Sequence, residues 1–266
     1  MVVVSRNREH LLRKCLESVE KADGRDSLQL LVVDNGSAAE LGSAIETDFP
    51  RVQLIRLPKN FGLTKALNIG WRAADAEYVL FLHDDTEIEP AVPIALADVL
   101  DSHPDASAVC PLLVDEEGRP APQLGNLPPD GQWRPAQVEG SDAVPVEYPR
   151  GAALMVRVYS IKAIRQIDER YGQFGSDADL AAQIHRASKK VLMLPTVRVK
   201  HVDNRAYTPQ ECADFLLARA VFHGKYMGFA AGLRARLASV FGPLLGFRLG
   251  EFSATLSGQK IDGTQS

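Results

Sequence analysis

Short apolar runs alternate with amphipathic segments through the first third of the chain, and this alternation restricts the fold more than any other feature. The apolar runs cover residues 2–5, 28–34, 52–57 and 77–82, and helical periodicity covers residues 8–22, 38–48 and 63–75. Strands that are apolar at consecutive positions are typical of parallel sheets buried on both faces. The β-α-β-α-β-α-β order therefore predicts an α/β fold with helices on both sides of a parallel sheet.

Polar motifs stand where three of these strands end. Residues 5–8 (SRNR) follow the first strand, residues 34–37 (DNGS) follow the second, and residues 83–85 (HDD) follow the fourth. Sheets of this kind bind ligands at the carboxyl ends of their strands. The sequence therefore predicts that the three motifs converge on one binding site.

The adjacent carboxylates of Asp84 and Asp85 are the most unusual of these residues. Neighbouring carboxylates raise each other's pKa unless a cation or a network of donors lies between them. A helix cap, a solvated turn and a divalent-cation site are three interpretations of such a pair. The position after a buried strand favours the cation site, because Mg²⁺ and Mn²⁺ bind carboxylates and keep positions open for substrate phosphates.

Composition argues against several other classes of protein. The 266 residues carry a formal net charge of −4, which disfavours nucleic acid as a partner. Three widely spaced cysteines, without a C-x-x-C motif, favour a reducing compartment over a disulfide framework. No segment approaches the roughly 18–20 uninterrupted apolar residues of a membrane span. A cytoplasmic protein is expected, with contact at the inner face of the membrane as an open alternative.

The second half of the chain has a different sequence pattern. Helices are expected near residues 91–101 and 159–168 and in the second half of 168–189, and strands near residues 107–114, 151–158, 191–195 and 197–202. Residues 116–147 are rich in Pro and Gly and lack an apolar period, which predicts a mobile loop. The last sixty residues are expected to be helical.

Five motifs occur in an order that resembles the family 2 glycosyltransferases with the GT-A fold, among them bacterial rhamnosyltransferase-like enzymes of surface polysaccharide synthesis. They are SRNR at 5–8, VVDNGS at 32–37, residues 60–85, GSDADL at 175–180 and VRVKHV at 197–202. The resemblance covers about residues 1–205. It implies a Rossmann-like, mostly parallel sheet in which residues 1–89 bind the nucleotide-sugar and residues 90–205 bind the acceptor. Residues 206–266 would form a C-terminal helical extension.

The resemblance also implies an activity. Such enzymes move a sugar from a nucleotide-sugar, here a dTDP- or UDP-sugar, to a hydroxyl of a glycan or lipid-linked saccharide. The reaction inverts the anomeric carbon and depends on Mg²⁺ or Mn²⁺. Because no Q-x-x-R-W segment is present, addition of a single sugar is favoured over processive synthesis.

Individual donor-site roles follow from the same resemblance. Asp34 would hydrogen-bond the nucleobase, Asp84 would face the ribose, and Asp85 and His201 would ligate the cation. His83 stands where the first acidic residue of the DxD-type element usually lies. From residue type alone, Asp34 also fits a turn and His201 also fits a hydrogen-bonded structural histidine. The remaining donor-side candidates are Ser5, Asn7 and Lys65.

Asp177 occupies the position of the family's catalytic base. An acceptor hydroxyl is a poor nucleophile until its proton is removed, and a carboxylate within hydrogen-bond reach can remove it. Ser176 replaces the acidic residue that usually precedes the base. Asp179 is interpreted as a carboxylate that stabilises a helix N-terminus.

Other functions are open at this stage. A non-catalytic nucleotide-sugar-binding protein with the same fold is the main alternative, although it would have no use for Asp177. A nucleotidyltransferase is disfavoured because residues 5–12 contain no glycine, and a DxDxT phosphatase because Asp84 and Asp85 are adjacent.

An apolar stripe with basic neighbours marks the C-terminal region. Its members are Leu233, Leu237, Val240, Phe241 and Leu244, with Arg234 and Arg236 beside them. Such a stripe fits three partners: the catalytic domain, a second subunit, or an anionic membrane surface.

Overall fold

The first third of the chain folds into the strands and helices that its sequence predicts. The computed structural model describes residues 1–37, 45–137, 140–202, 207–258 and 260–261. The first elements are β1 (Val2–Ser5), α1 (Glu9–Glu20), a 3₁₀ turn (Arg25–Ser27), β2 (Leu31–Asp34), β3 (Gln53–Arg56), α2 (Leu63–Ala73) and β4 (Tyr78–His83). Of the helix predicted near 38–48, residues 45–48 are helical and residues 38–44 lie outside the described residues.

The register of the first strands brings their polar ends together. β1 is parallel to both β2 and β4, and it is buried along its whole length. Ser5 pairs with Asp34, and Val4 pairs with His83. The residues that follow these strands therefore emerge at one edge of the sheet, as the sequence predicts.

The second half of the chain extends the same sheet, partly with antiparallel strands. Its elements are β5 (Thr86–Ile88), α3 (Val92–Ser102), β6 (Ala106–Val114), β7 (Pro122–Gly125), β8 (Arg134–Pro135), β9 (Val144–Val146), β10 (Tyr148–Pro149), β11 (Ala153–Arg157), α4 (Val158–Ala163), α5 (Ser176–Arg186) and β12 (Lys190–His201). Among the described residues, nine strands form one sheet, in the order β3-β2-β1-β4-β11-β6-β12-β5 with β9 paired to β12. β11 is antiparallel to both β4 and β6. The α/β prediction is confirmed.

The prediction of a mobile loop over residues 116–147 is wrong for much of that segment. β7 pairs with β8 and β10 in a small second sheet, and β9 joins the edge of the main sheet beside β12. Residues 138–139 lie outside the described residues. These strands are two to four residues long, which is too short for a period to show. Their pairing depends on partners distant in the sequence.

Two element boundaries also differ from the sequence prediction. α4 ends at Ala163, although a helix was expected to reach residue 168. The two expected strands between residues 191 and 202 form one strand, β12, whose register shifts between Leu194 and Arg198. Pro195 lies in this irregular stretch, and proline has no N–H to donate to a neighbouring strand.

Three helices complete the chain, which confirms the helical prediction for its described C-terminal part. They are α6 (Pro209–Met227), α7 (Phe229–Leu245) and α8 (Leu249–Ser257). None of the helices in the described part of the chain combines the length and apolarity that a bilayer span requires.

Much of the apolar stripe of α7 is exposed in the described part of the chain. Leu233, Leu237 and Phe241 are 46%, 48% and 53% exposed. The described part of the chain therefore covers these three side chains only in part.

Asp214 of α6 ties the C-terminal helices to the segment before α5. It is buried, and its carboxylate accepts backbone N–H bonds from Gln173 (2.8 Å), Phe174 (3.1 Å) and Ile261 (2.8 Å). A buried carboxylate needs such donors, because burial without them is strongly unfavourable. The helices thus help to fix the loop that leads into α5.

We expect Asp214→Ala to lower the free energy of unfolding by about 2–4 kcal/mol, because it leaves three backbone donors without their acceptor. Urea titration followed by circular dichroism measures this loss. Asp23→Ala, which removes an exposed carboxylate, should change stability by less than about 0.5 kcal/mol. Equal effects of the two substitutions would contradict this account of Asp214.

Candidate active site

A cavity of about 1190 Å³ opens at the carboxyl edge of the sheet. Strand ends, the segment before α5 and the C-terminal helices all contribute to its wall. Of the eight residues that the sequence analysis proposes for the base, the donor site or the metal site, five line it: Ser5, Asp84, Asp85, Asp177 and His201. The fold therefore gathers residues that lie up to two hundred positions apart into one site.

The acidic pair is bridged by Arg8, which follows β1. Its Nη1 donates to Asp84 Oδ1 and its Nη2 donates to Asp85 Oδ2, each at 2.8 Å. Ser5 Oγ donates to the second oxygen of Asp84 at 2.7 Å. Both carboxylates are buried. One guanidinium thus spans two like charges, a geometry for which its planar fork of donors is suited.

The remaining oxygen of Asp85, Oδ1, faces two histidines. His201 Nε2 lies 3.3 Å from it and His83 Nδ1 lies 3.9 Å from it. Oδ1 is buried, and it has no hydrogen-bond partner among the described residues. The three candidate ligand atoms lie within 4.8 Å of one another. A buried oxygen without a donor, beside two imidazole nitrogens, fits a divalent cation.

The ionisation of this cluster suits cation binding. Burial alone would raise the pKa of Asp85, but His201, His83 and Arg8 together hold it well below its usual range. Burial lowers the pKa of His83 to about 4, with smaller contributions from His201, Arg150 and Arg8. At neutral pH the site therefore holds a carboxylate and a neutral imidazole, the forms in which these groups ligate metals.

Asp177 is held on another part of the cavity wall, at the start of α5. Tyr148 Oη donates to its Oδ1 at 2.9 Å, and the backbone N–H of Gly151 donates to its Oδ2 at 3.2 Å. Burial raises the pKa of Asp177, and the hydrogen bonds from Ala178, Tyr148 and Gly151 offset only part of this rise. A carboxylate with a raised pKa is a stronger base than an exposed aspartate.

Gly175 shapes the turn into α5. Its φ of +88° lies in the left-handed region that favours glycine. A Cβ at this position would lie 2.9 Å from Ala218 Cβ on α6. The close approach of α6 thus requires glycine two residues before Asp177.

Asp179 lies in the first turn of α5, as the sequence predicts, and makes further contacts that the sequence does not reveal. Its carboxylate is fully buried and takes part in a network with Lys225 Nζ at 2.7 Å and Tyr226 Oη at 2.8 Å. Tyr171 Oη donates to it at 3.2 Å. Its position in the first turn of α5 is as predicted, and the contacts with Lys225 and Tyr226 join it to α6 as well. Its partner Lys225 lies on α6, which a local sequence pattern does not reveal.

Three donor-side candidates lie outside the cavity wall formed by the described residues. Asp34 accepts a hydrogen bond from the backbone N–H of Ser37 at 2.9 Å and so stabilises a turn. The backbone N–H of Asn7 donates to Ser37 Oγ at 2.8 Å. Lys65 Nζ lies 4.6 Å from the centre of the Phe61 ring. The donor-contact roles of Asp34, Asn7 and Lys65 stay predictions.

Three cavity residues were missed from the sequence. Arg8 belongs to the SRNR motif, but the resemblance assigned roles only to its neighbours. Trp133 and Tyr148 line the cavity with their ring centres 4.9 Å apart. A tryptophan within a polar, Pro- and Gly-rich segment was the available signal for this aromatic pair.

Solved structures with the same fold define the class of protein. The chain matches S. aureus TarS 1–349 in complex with UDP-GlcNAc with a TM-score of 0.61 and 17% identity, over 95% of this chain and 72% of that one. It matches GalNAc-T7 with UDP, GalNAc and Mn²⁺ with a TM-score of 0.65 and 16% identity, over 90% of this chain. The chain spans 48% of GalNAc-T7 and 38% of the longer TarS structure. The fold is that of GT-A glycosyltransferases.

Sequence comparison then identifies the family. The family described as "Glycosyl transferase family 2" matches residues 1–160, and the chain belongs to this family. The N-acetylglucosaminyl-diphospho-decaprenol L-rhamnosyltransferase of Mycobacterium tuberculosis is 27% identical over an alignment of 220 residues that covers 71% of this chain and 71% of that protein. The family predicted from the five motifs is confirmed, and the protein is a glycosyltransferase.

We expect Arg8→Ala to destabilise the protein and divalent cations to reverse part of the loss. Breaking a buried ion pair costs about 3–5 kcal/mol. Because the Arg8 side chain is 29% exposed, a loss of about 1–3 kcal/mol is expected. Mn²⁺ should raise the melting temperature of Arg8→Ala more than that of the unaltered protein, since it supplies the missing positive charge.

Arg13→Ala is the matched control for this prediction. Arg13 also bridges two carboxylates, Glu9 and Asp48, but on the surface. Its loss should cost less than about 1 kcal/mol and should not alter the response to Mn²⁺. The same Mn²⁺ response in both variants would contradict the role given to Arg8.

Proposed function

We propose that this glycosyltransferase moves one sugar, with inversion, from a nucleotide-sugar to a hydroxyl of a lipid-linked saccharide. The observation that carries the proposal is that Asp85, His201 and Asp177 line one cavity at the carboxyl edge of the sheet. Such a cavity can bring a leaving diphosphate and an incoming hydroxyl together. Residues 1–89 and 90–205 would supply its donor and acceptor halves, and residues 206–266 its helical extension.

Comparisons support the two substrate classes. The structural neighbours were crystallised with UDP-GlcNAc, or with UDP, GalNAc and Mn²⁺, which supports a UDP-sugar or the similar dTDP-sugar as donor. The name of the mycobacterial relative specifies a sugar acceptor carried on diphospho-decaprenol, and L-rhamnose as the sugar that is transferred. An acceptor of this class, a saccharide carried on a lipid diphosphate, is proposed here.

The donor diphosphate would be held beside Asp85 and His201. These residues, with His83, would hold Mg²⁺ or Mn²⁺ through the unpartnered Asp85 Oδ1 and the imidazole nitrogens. When bound, a divalent cation stabilises negative charge on a leaving diphosphate. Arg8 and Ser5 fix the orientation of the acidic pair, so that Asp85 Oδ1 points toward the two histidines.

Asp177 would act as the general base. Its carboxylate takes the proton of the acceptor hydroxyl as that oxygen attacks the anomeric carbon from the side opposite the diphosphate. This single displacement inverts the configuration. Burial and Asp177 both raise the pKa of Tyr148, so Tyr148 stays protonated and orients the base by donating to Oδ1. Trp133 and Tyr148 offer an aromatic surface for a sugar ring.

Asp177→Asn should lower kcat for transfer by about 10²–10⁴-fold while donor affinity stays within about twofold of the unaltered protein. Asp85→Ala, in contrast, should lose the Mn²⁺-dependent part of donor binding. Transfer is measured with radiolabelled nucleotide-sugar, and binding by calorimetry. Glu116→Gln, an exposed carboxylate, is the control. Normal turnover by Asp177→Asn would contradict the assignment of the base.

The pH dependence of kcat/KM should reflect the ionisation of Asp177. The base works as a carboxylate, so the rate falls as the pH drops through its pKa, which is higher than that of an exposed aspartate. Tyr148→Phe removes a hydrogen bond that lowers this pKa, and the acidic limb should move to higher pH.

Tyr159→Phe, at an exposed tyrosine, serves as the control and should leave the profile unchanged. An acidic limb that does not move in Tyr148→Phe would show that another group limits the rate at low pH.

A further inference from the structure

Most of the large apolar side chains that the described part of the chain exposes lie on α7 or beside it. Leu233, Leu237, Phe241 and Leu245 are spaced four residues apart, and they are 46%, 48%, 53% and 80% exposed. Leu244, next to Leu245, is 38% exposed. Side chains at this spacing form one stripe along a helix. Soluble proteins rarely leave such a continuous stripe uncovered, so it indicates an interaction surface.

The turns at both ends of α7 continue the apolar face. Phe229 is 83% exposed where α6 meets α7, and Phe247 is 89% exposed where α7 meets α8. The face therefore runs the whole length of a 17-residue helix, about 25 Å. Bulky apolar side chains at the tips of turns are suited to insertion among lipid chains.

Positive charge borders this face. Residues 229–250 contain Arg234, Arg236 and Arg248 but no aspartate or glutamate. A groove of about 390 Å³ between α6 and α7 is lined by Arg219, His223 and Arg234. Arg248 is paired with Glu251, so the charge next to the apolar face comes chiefly from Arg219 and Arg234. This arrangement is complementary to anionic headgroups above an apolar interior.

The two helices next to α7 form part of the active-site cavity. Phe215 and Leu216 of α6, and Glu251 of α8, line it together with Arg248 between α7 and α8. Leu216 lines both the cavity and the basic groove. A surface that binds through α7 would therefore lie close to the cavity.

We propose that the outward face of α7, with its two flanking turns, docks on an anionic lipid bilayer and places the cavity beside the membrane surface. That this position gives the cavity access to a lipid-linked acceptor rests on the proposed function. The docking itself does not depend on that function. A second copy of the chain fits less well. Pairing two α7 faces would bring Arg234 near arginines of the other copy, with no acidic residue in 229–250 to balance them.

Co-sedimentation with vesicles tests the proposal. The full chain should bind phosphatidylcholine vesicles that contain phosphatidylglycerol, and salt should weaken the binding. The double variant Leu237→Ser/Phe241→Ser should bind at least about tenfold more weakly, with an unchanged circular dichroism spectrum. Ile94→Ser, at an exposed apolar residue of α3, should bind normally.

The charge contribution is tested separately. Arg219→Gln/Arg234→Gln should lose most of the preference for vesicles with phosphatidylglycerol over vesicles of phosphatidylcholine alone. Arg119→Gln, at an exposed arginine elsewhere on the surface, should keep it. Equal loss in both variants would show that net charge, and not this surface, governs binding.

Two results would overturn the proposal. One is the absence of binding to phosphatidylglycerol vesicles at low salt. The other is a dimer, detected by analytical ultracentrifugation without lipid, that Leu237→Ser/Phe241→Ser dissociates. Thermal stabilisation by UDP and Mn²⁺ in the same preparations reports donor binding independently, so that failure of docking is distinguished from failure of the proposed function.

Discussion

The site depends on one guanidinium placed between two buried carboxylates. Asp84 and Asp85 follow a strand whose interior position leaves them little access to water, and Arg8 binds one oxygen of each at 2.8 Å. Without that charge the pair would repel or take up a proton. With it, Asp85 stays ionised and directs its other oxygen toward His201 and His83. Arg8 therefore stabilises the strand end and also orients a ligand for a cation.

The C-terminal helices are joined to the part of the chain that carries Asp177. The carboxylate of Asp214 accepts hydrogen bonds from backbone N–H groups of the segment before α5. Lys225 pairs with the buried Asp179 within α5. Through these contacts α6 fixes the helix that carries Asp177. The same group of helices presents an apolar outer face, so the position of the proposed base and the proposed docking surface belong to one structural unit.

Sequence patterns predicted the elements whose formation depends on residues close together in the chain. The strands β1 to β4 are apolar at consecutive positions, and their polar ends meet at one edge as expected. Pairing over long distances escaped prediction: β7 and β9 lack a period, and Asp179 owes its role to Lys225, 46 residues away. Arg8 was missed for a similar reason, because its partners are 76 and 77 residues further along the chain.

The central claim is that a divalent cation and a nucleoside diphosphate bind at Asp85 and His201, within the cavity that also contains Asp177. Anomalous diffraction from crystals grown with Mn²⁺ and UDP would test it most directly. The account predicts one strong manganese peak about 2–2.5 Å from Asp85 Oδ1 and His201 Nε2, next to the diphosphate. A manganese and UDP site on another surface, with the cavity free of both, would contradict it.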